Sequence, residues 1–182
     1  MMRDFKVNFT EKEISSVYQK IKDYSWNTMP DLDGWEHGTN KKYLKELCDY
    51  WVSEFDWHKH EKEINNFENF ITNVEGTDIH FIKKKGSNPN STPLLLMHGW
   101  PGSVIEFLDI IDKLASPEKY GADTKNSFDV IVPSLPGFGF SGKPTKPIGP
   151  RKMADMLNKL MIENLGYKNY MAQGGDWGAT IA

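Results

Sequence analysis

With 182 residues, a formal net charge of −3 and 26% charged side chains, the chain has the composition of one globular domain, or of a small domain beside part of a larger one. The balanced charge gives no footing for a nucleic-acid partner, and no stretch approaches the roughly eighteen apolar residues of a membrane span. Cys48 is the only cysteine, which rules out an intrachain disulfide and suits a reducing compartment.

The opening residues, MMRDFKVNFTEKE, lack the apolar core of a secretory signal, so a cytoplasmic location is expected. Thr10 and Glu13 have capping-box spacing, and Ile14, Val17, Tyr18 and Ile21 follow on one helical face. Pro30, Gly34 and Gly38 then predict a long irregular connection. A second helix is predicted through Tyr43, Leu44, Leu47, Trp51 and Phe55, and a third through Trp57, Glu61, Ile64 and Phe67. From there the pattern changes. Residues 70–74 and 78–83 read as strands around a Glu75-Gly76-Thr77 turn, and Lys83, Lys84 and Lys85 as a solvated strand end.

Pro93 introduces LLLMHG, a continuous apolar run of the kind found in strands buried on both faces. Ser103 and Glu106 again have capping-box spacing, ahead of a helix carrying Phe107, Leu108, Ile111 and Leu114. FDVIVPSLPG is the next buried strand, residues 150–164 the next helix with Met153, Leu157, Leu160 and Met161 inward, and YMAQG the third strand. Alternating strands and helices predict an α/β fold built on a parallel sheet, preceded by a helical, loop-rich extension that adds no strand to it. Residues 1–75 form that extension in this reading, and residues 76–182 the first, incomplete part of the core.

The last strand runs into Gly174-Gly175-Asp176-Trp177-Gly178, with small residues two before and two after the aspartate. That is the pattern of a nucleophile elbow, a tight strand-to-helix turn that lifts its central side chain above the sheet. An aspartate ahead of a helix is commonly just an N-cap. The glycine flanks, the apolar strand before it and a second glycine-bearing strand end, His98-Gly99-Trp100-Pro101-Gly102, favour a nucleophile, which can cap as well. The backbone N–H groups of Trp100 and Trp177 are the candidate oxyanion donors, since Pro101 has no N–H to offer. The Trp100 side chain reads as a buried plug over the sheet. A carboxylate in that position points to attack at sp³ carbon, giving an ester that water must then hydrolyse.

These motifs, together with GWEHG, YWVSEFDW, INNFENF, IHFI, HGWPGSVIEFLDII, VIVPSLPGFGFSGKP and QGGDWGA, resemble the epoxide hydrolases of the α/β-hydrolase superfamily that carry an epoxide hydrolase N-terminal domain. The resemblance implies opening of a small apolar epoxide to a vicinal diol, with Asp176 as nucleophile and Trp100 and Trp177 as oxyanion donors. His98, Gly99, Pro101, Gly174, Gly175 and Gly178 would shape the site, with no cofactor and no metal. His37 and His58 depart from the family's usual Tyr and Arg. All five histidines (His37, His58, His60, His80 and His98) precede Asp176, and no ionisable residue follows it. The histidine and acid that complete the family's triad are therefore expected to be missing, along with the lid and its tyrosines. The chain then reads as a portion ending after the elbow, with the elbow strand left as an open edge. His58, His60 and His80 read as surface or packing residues, and the diverging His58/His60 pair as no metal site. A catalytically inactive product and a haloalkane dehalogenase-like hydrolase are the alternatives, and the oligomeric state is left open.

Overall fold

A computed structural model of the chain describes residues 2–30 and 34–182, so part of the irregular connection expected after Pro30 lies outside the described residues. The chain divides into two compact units, one of residues 7–63 and one that joins the residues up to Lys6 with residues 64–182.

Three helices make up most of the smaller unit: α1 (Glu11–Lys22), α2 (Lys41–Ser53) and α3 (Trp57–Asn65). The capping box forms as expected. Glu13 N–H donates to Thr10 Oγ1 at 3.3 Å, while the Thr10 hydroxyl and then the Thr10 N–H donate to Glu13 Oε2 at 2.7 and 2.9 Å and hold the Glu13 carboxyl below its usual range. Phe55 lies just beyond α2 and packs edge-on against Trp57, as does Phe9, with ring centroids 5.3 and 5.5 Å apart.

The larger unit is built on one six-stranded sheet. Its strands are β1 (Arg3–Phe5), β2 (Glu68–Val74), β3 (Thr77–Lys84), β4 (Thr92–Met97), β5 (Phe128–Pro133) and β6 (Met171–Gly174), ordered β1-β2-β3-β5-β4-β6. The sheet is mixed rather than wholly parallel. β4 runs parallel to β5 and β6, while β1, β2 and β3 pair antiparallel, with β3 joining β5. β1 and β2 both fall within residues 1–75 and correct the expectation that this extension adds no strand to the sheet, β1 without a sequence signal of its own. Three residues are too few to show a period of two, and pairing with residues 69–71 of β2 specifies the strand. The β2–β3 turn falls on Glu75 and Gly76, both at positive φ (50° and 83°), as a two-residue hairpin of the primed type requires.

Alternation along the strands sorts the core into two faces. Ile79, Phe81, Leu95, Met97 and Ile131 meet Met153, Met156, Leu157, Leu160 and Met161. The last five come from α5 (Pro150–Lys159) and the π-helical turn Leu160–Asn164 that follows it. Leu94, Leu96, Val130 and Val132 take the alternate positions, and α4 (Leu108–Ala115) lies against β5 with Ile111 and Ala115 fully buried. The second capping box does not form. Ser103 Oγ instead accepts from Ile105 N–H at 3.3 Å, residues 104–107 close as a 3-10 turn, and α4 starts only at Leu108.

Two buried polar groups brace this unit, and each carries a prediction. Asp129 on β5 is 2% exposed, pairs with Lys85 Nζ at 2.5 Å, and accepts from Gly86 N–H at 2.9 Å and Tyr167 Oη–H at 3.3 Å. Burial, and then Asp129 itself, push the Tyr167 phenol up to about 12. Asp129→Ala leaves these donors without an acceptor. It is expected to lower stability by about 2–3 kcal/mol, read from the urea midpoint.

His80 on β3 is fully buried, and burial pushes its imidazole down to about 4. The unfolded chain takes up this proton from about pH 6.5, whereas the folded chain resists it until about pH 4. The His80 share of stability is therefore complete above about pH 7 and falls by about 3 kcal/mol as pH drops to about 4. Urea unfolding across that window measures the loss, and His80→Asn, which has no proton to gain, is expected to flatten the slope.

Candidate active site

β6 ends at Gly174, and α6 (Trp177–Ile181) begins three residues later, so the chain must turn from sheet to helix across Gly175 and Asp176. Asp176 makes that turn at φ 53° and ψ −122°, a backbone state that costs a non-glycine residue about 1–3 kcal/mol. Backbone packs directly on backbone around it. A Cβ on Gly178 would stand 2.2 Å from the Met97 carbonyl oxygen at the end of β4, and one on Gly174 would stand 2.3 Å from the Gly178 carbonyl carbon. At Gly175 a Cβ would meet nothing within 4 Å, so the steric need expected of the elbow glycines does not extend to it.

The second glycine-bearing strand end arrives beside this turn. Gly99 lies so close to Asp176 that a Cβ there would come within 2.5 Å of the Asp176 Cβ. Residues 99–102 form a turn closed by Gly102 N–H donating to Gly99 O at 3.0 Å, with a cis Trp100–Pro101 peptide. This aims Trp100 N–H at Asp176 Oδ1, 2.8 Å away. Trp177 N–H, at the start of α6, donates to the same oxygen at 2.7 Å. Among the described residues nothing donates to Oδ2. Donation from Trp100, and then from Trp177, holds the Asp176 carboxyl below the ordinary aspartate range. At pH 7 it is an anion with one oxygen cradled and the other free.

His98 is fully buried behind the turn. Leu135 N–H donates to its Nε2 at 3.0 Å, so Nδ1 carries the ring proton and donates to Gly99 O at 2.9 Å. The imidazole thus spans from the end of β4 to the loop after β5, with its edge toward Phe138 at 5.6 Å. The Trp100 side chain is not the buried plug expected from its neighbours. It is 66% exposed while its backbone N–H faces Asp176, and Trp177 is 40% exposed.

The other histidines do not join the site. His58 Nε2 meets Glu11 Oε1 at 3.0 Å and His60 Nδ1 meets Glu63 Oε2 at 2.7 Å, all within residues 7–63. His37 is exposed, and His80 is enclosed between Asn69 and Ser134. That enclosure was not legible from the sequence, since its partners come from positions 69, 134 and 141.

Residues 2–107 match the family described as epoxide hydrolase N terminus, and residues 92–182 match the α/β hydrolase fold family. The chain belongs to the epoxide hydrolases of this fold. Among epoxide hydrolases it is 39% identical over 97% of its length to a putative epoxide hydrolase of Stigmatella aurantiaca, and 40% identical over 99% to epoxide hydrolase 1 of Oryctolagus cuniculus. It spans about 40% of the length of each of these curated relatives. The crystal structure of the juvenile hormone epoxide hydrolase of the silkworm Bombyx mori superposes with a TM-score of 0.84 at 34% identity. That match covers the whole of this chain and 43% of the silkworm chain. The Aspergillus niger epoxide hydrolase gives 0.83 at 28% identity, again over the whole chain and over 48% of its own. No helix among the described residues is long and apolar enough to cross a membrane.

Proposed function

We propose that this chain carries the ester-forming half of an epoxide hydrolase, with Asp176 as nucleophile and the backbone N–H groups of Trp100 and Trp177 as its oxyanion hole. One observation carries the reading: both N–H groups converge on a single carboxylate oxygen and leave the other free. Oδ2 attacks a ring carbon of the epoxide, the ring C–O bond breaks, and the alkoxide takes a proton from water. The product is a hydroxyalkyl ester of Asp176 whose carbonyl oxygen is Oδ1. Water then attacks that carbonyl, giving one proton to the hydroxide left by the first step and placing negative charge on Oδ1, where two donors already point. Collapse breaks the Cγ–Oδ2 bond, and the departing diol oxygen takes the remaining carboxyl proton, which restores the carboxylate.

Within the described residues no side chain bonds to Asp176 that could draw a proton from the attacking water, and both ring nitrogens of His98 and of His80 are engaged elsewhere. Ester formation therefore outruns ester hydrolysis in this chain. Small apolar epoxides suit a carboxylate held by two tryptophan residues whose side chains are left exposed. The match over residues 2–107 favours this substrate class over the haloalkane dehalogenase alternative. The cytoplasm is the compartment that goes with the reading, in keeping with a charged composition and a single cysteine.

Incubation of the chain with styrene oxide tests the proposal. Intact mass is expected to rise by one epoxide over minutes to hours, while diol appears far more slowly. Steady diol release without an accumulating adduct would contradict the order of rates, and neither adduct nor diol would overturn the function.

A further inference from the structure

The fully buried imidazole of His80 has no part in the chemistry above, yet hydrogen bonds joined through the Ser134–Leu135 peptide link it to the oxyanion turn. Asn69 Nδ2 donates to Ile64 O at 3.0 Å and Phe67 O at 2.8 Å, which turns Asn69 Oδ1 toward His80 Nε2, 3.0 Å away. His80 Nε2 therefore carries the proton, and Nδ1 accepts from Ser134 Oγ–H at 2.9 Å. Ser134 is held again by its own N–H donating to His80 O at 2.9 Å. Ser141 Oγ donates to Ser134 O at 2.7 Å and accepts from His80 N–H at 3.0 Å. The next residue, Leu135, aims its N–H at His98 Nε2, and His98 Nδ1–H holds Gly99 O, one residue before the Trp100 donor. The rings of Phe5 and Phe140 stand edge-on to His80, each with its centroid 5.1 Å away, and no charged group is among its hydrogen-bond partners.

We propose that His80 is a positioning residue for the oxyanion hole. Through Nδ1 it fixes Ser134, and through Leu135 and His98 it fixes the turn that presents Trp100 N–H to Asp176 Oδ1. An unsupported loop turn would let that N–H swing away from the carboxylate. The relay runs through discrete hydrogen bonds inside a closed core, so removing one link should be felt at the far end even when the fold survives. Its bearing on catalysis rests on the function proposed above, but the effect on the Trp100–Asp176 bond does not.

The two ring nitrogens can be replaced separately. His80→Asn keeps an amide oxygen near the Nδ1 position to accept from Ser134 and loses the reach to Asn69. His80→Gln keeps an amide nitrogen near the Nε2 position to donate to Asn69 and loses Ser134. Each variant leaves one buried partner unpaired, so their stability losses should be similar and a purely structural role predicts the same outcome for both. The readout is NMR of the full 182-residue chain: the Trp100 amide resonance, and titration of the Asp176 side-chain carboxyl carbon.

His80→Gln is expected to shift the Trp100 amide upfield and to raise the Asp176 titration by about one pH unit, whereas His80→Asn leaves both near wild type. Ser134→Ala removes only a hydroxyl, so it decides the matter if His80→Gln does not fold, and it is expected to reproduce the His80→Gln shifts. Equal effects of the Asn and Gln variants, or an unmoved Asp176 titration in Ser134→Ala, would overturn the proposal. Failure of the wild-type chain to form an ester would count against the proposed function and leave this comparison intact.

Discussion

Asp176→Asn is expected to abolish ester formation while leaving the fold in place. Asparagine tolerates positive φ better than most side chains, so it suits the 53° that Asp176 adopts, and its amide oxygen can still accept from Trp100 and Trp177. What it lacks is the free anionic oxygen. A neutral amide is a poor nucleophile toward sp³ carbon, and the rate of adduct formation should fall by at least roughly a thousandfold. Urea unfolding should place the variant within about 1 kcal/mol of the parent, since both hydrogen bonds persist. A variant that keeps its stability and also keeps alkylating at position 176 would refute the assignment of the attacking atom.

The second large effect falls on the backbone. Gly178→Ala forces a methyl group to within 2.2 Å of the Met97 carbonyl oxygen, and neither α6 nor β4 can yield cheaply, because both contacts are main chain. Overpacking of this kind costs about 3 kcal/mol or more, and the chain is expected to unfold or to lose α6 from the sheet. Gly175→Ala, three residues earlier, is the control. Its Cβ points into open space and its φ is not positive, so the substitution is expected to be neutral, or to stabilise by about 0.5 kcal/mol through the unfolded chain. Circular dichroism melts of the two variants side by side read the contrast. Similar melting temperatures would mean that the elbow packs less tightly than the geometry requires.

Those same contacts explain what could be read from the sequence. A helix laid main chain to main chain on the end of β4 requires a residue without a Cβ at one fixed offset from Asp176, and that requirement is visible in Gly174-Gly175-Asp176-Trp177-Gly178. The buried strands were visible for a similar reason, since Leu94–Met97 and Val130–Val132 are enclosed on both faces and must be apolar throughout. Long-range pairing was much less visible. Nothing local in Arg3-Asp4-Phe5 marks it as the strand beside β2, and nothing in β3 says that it runs antiparallel to β5.

The two capping-box patterns make the limit plain. Thr10 and Glu13 close their box because α1 starts there, whereas residues 104–107 tighten into a 3-10 turn and Ser103 bonds to Ile105 instead. His80 carries no signal of its own, because its meaning depends on Asn69, Ser134 and Ser141 folding around it. The exposed indole of Trp100 was equally hidden, since the glycines and proline around it carry no sign of which way it faces.

In the proposed reaction an epoxide carbon becomes bonded to Asp176 Oδ2 as an ester. Peptide mapping of the chain after exposure to styrene oxide tests it most directly, with hydroxylamine added to half of the sample. The expected result is a single adduct on the peptide that contains Asp176, removed by hydroxylamine as an ester must be. An adduct that resists hydroxylamine and maps to Cys48, the one thiol in the chain, with none at Asp176, would contradict it.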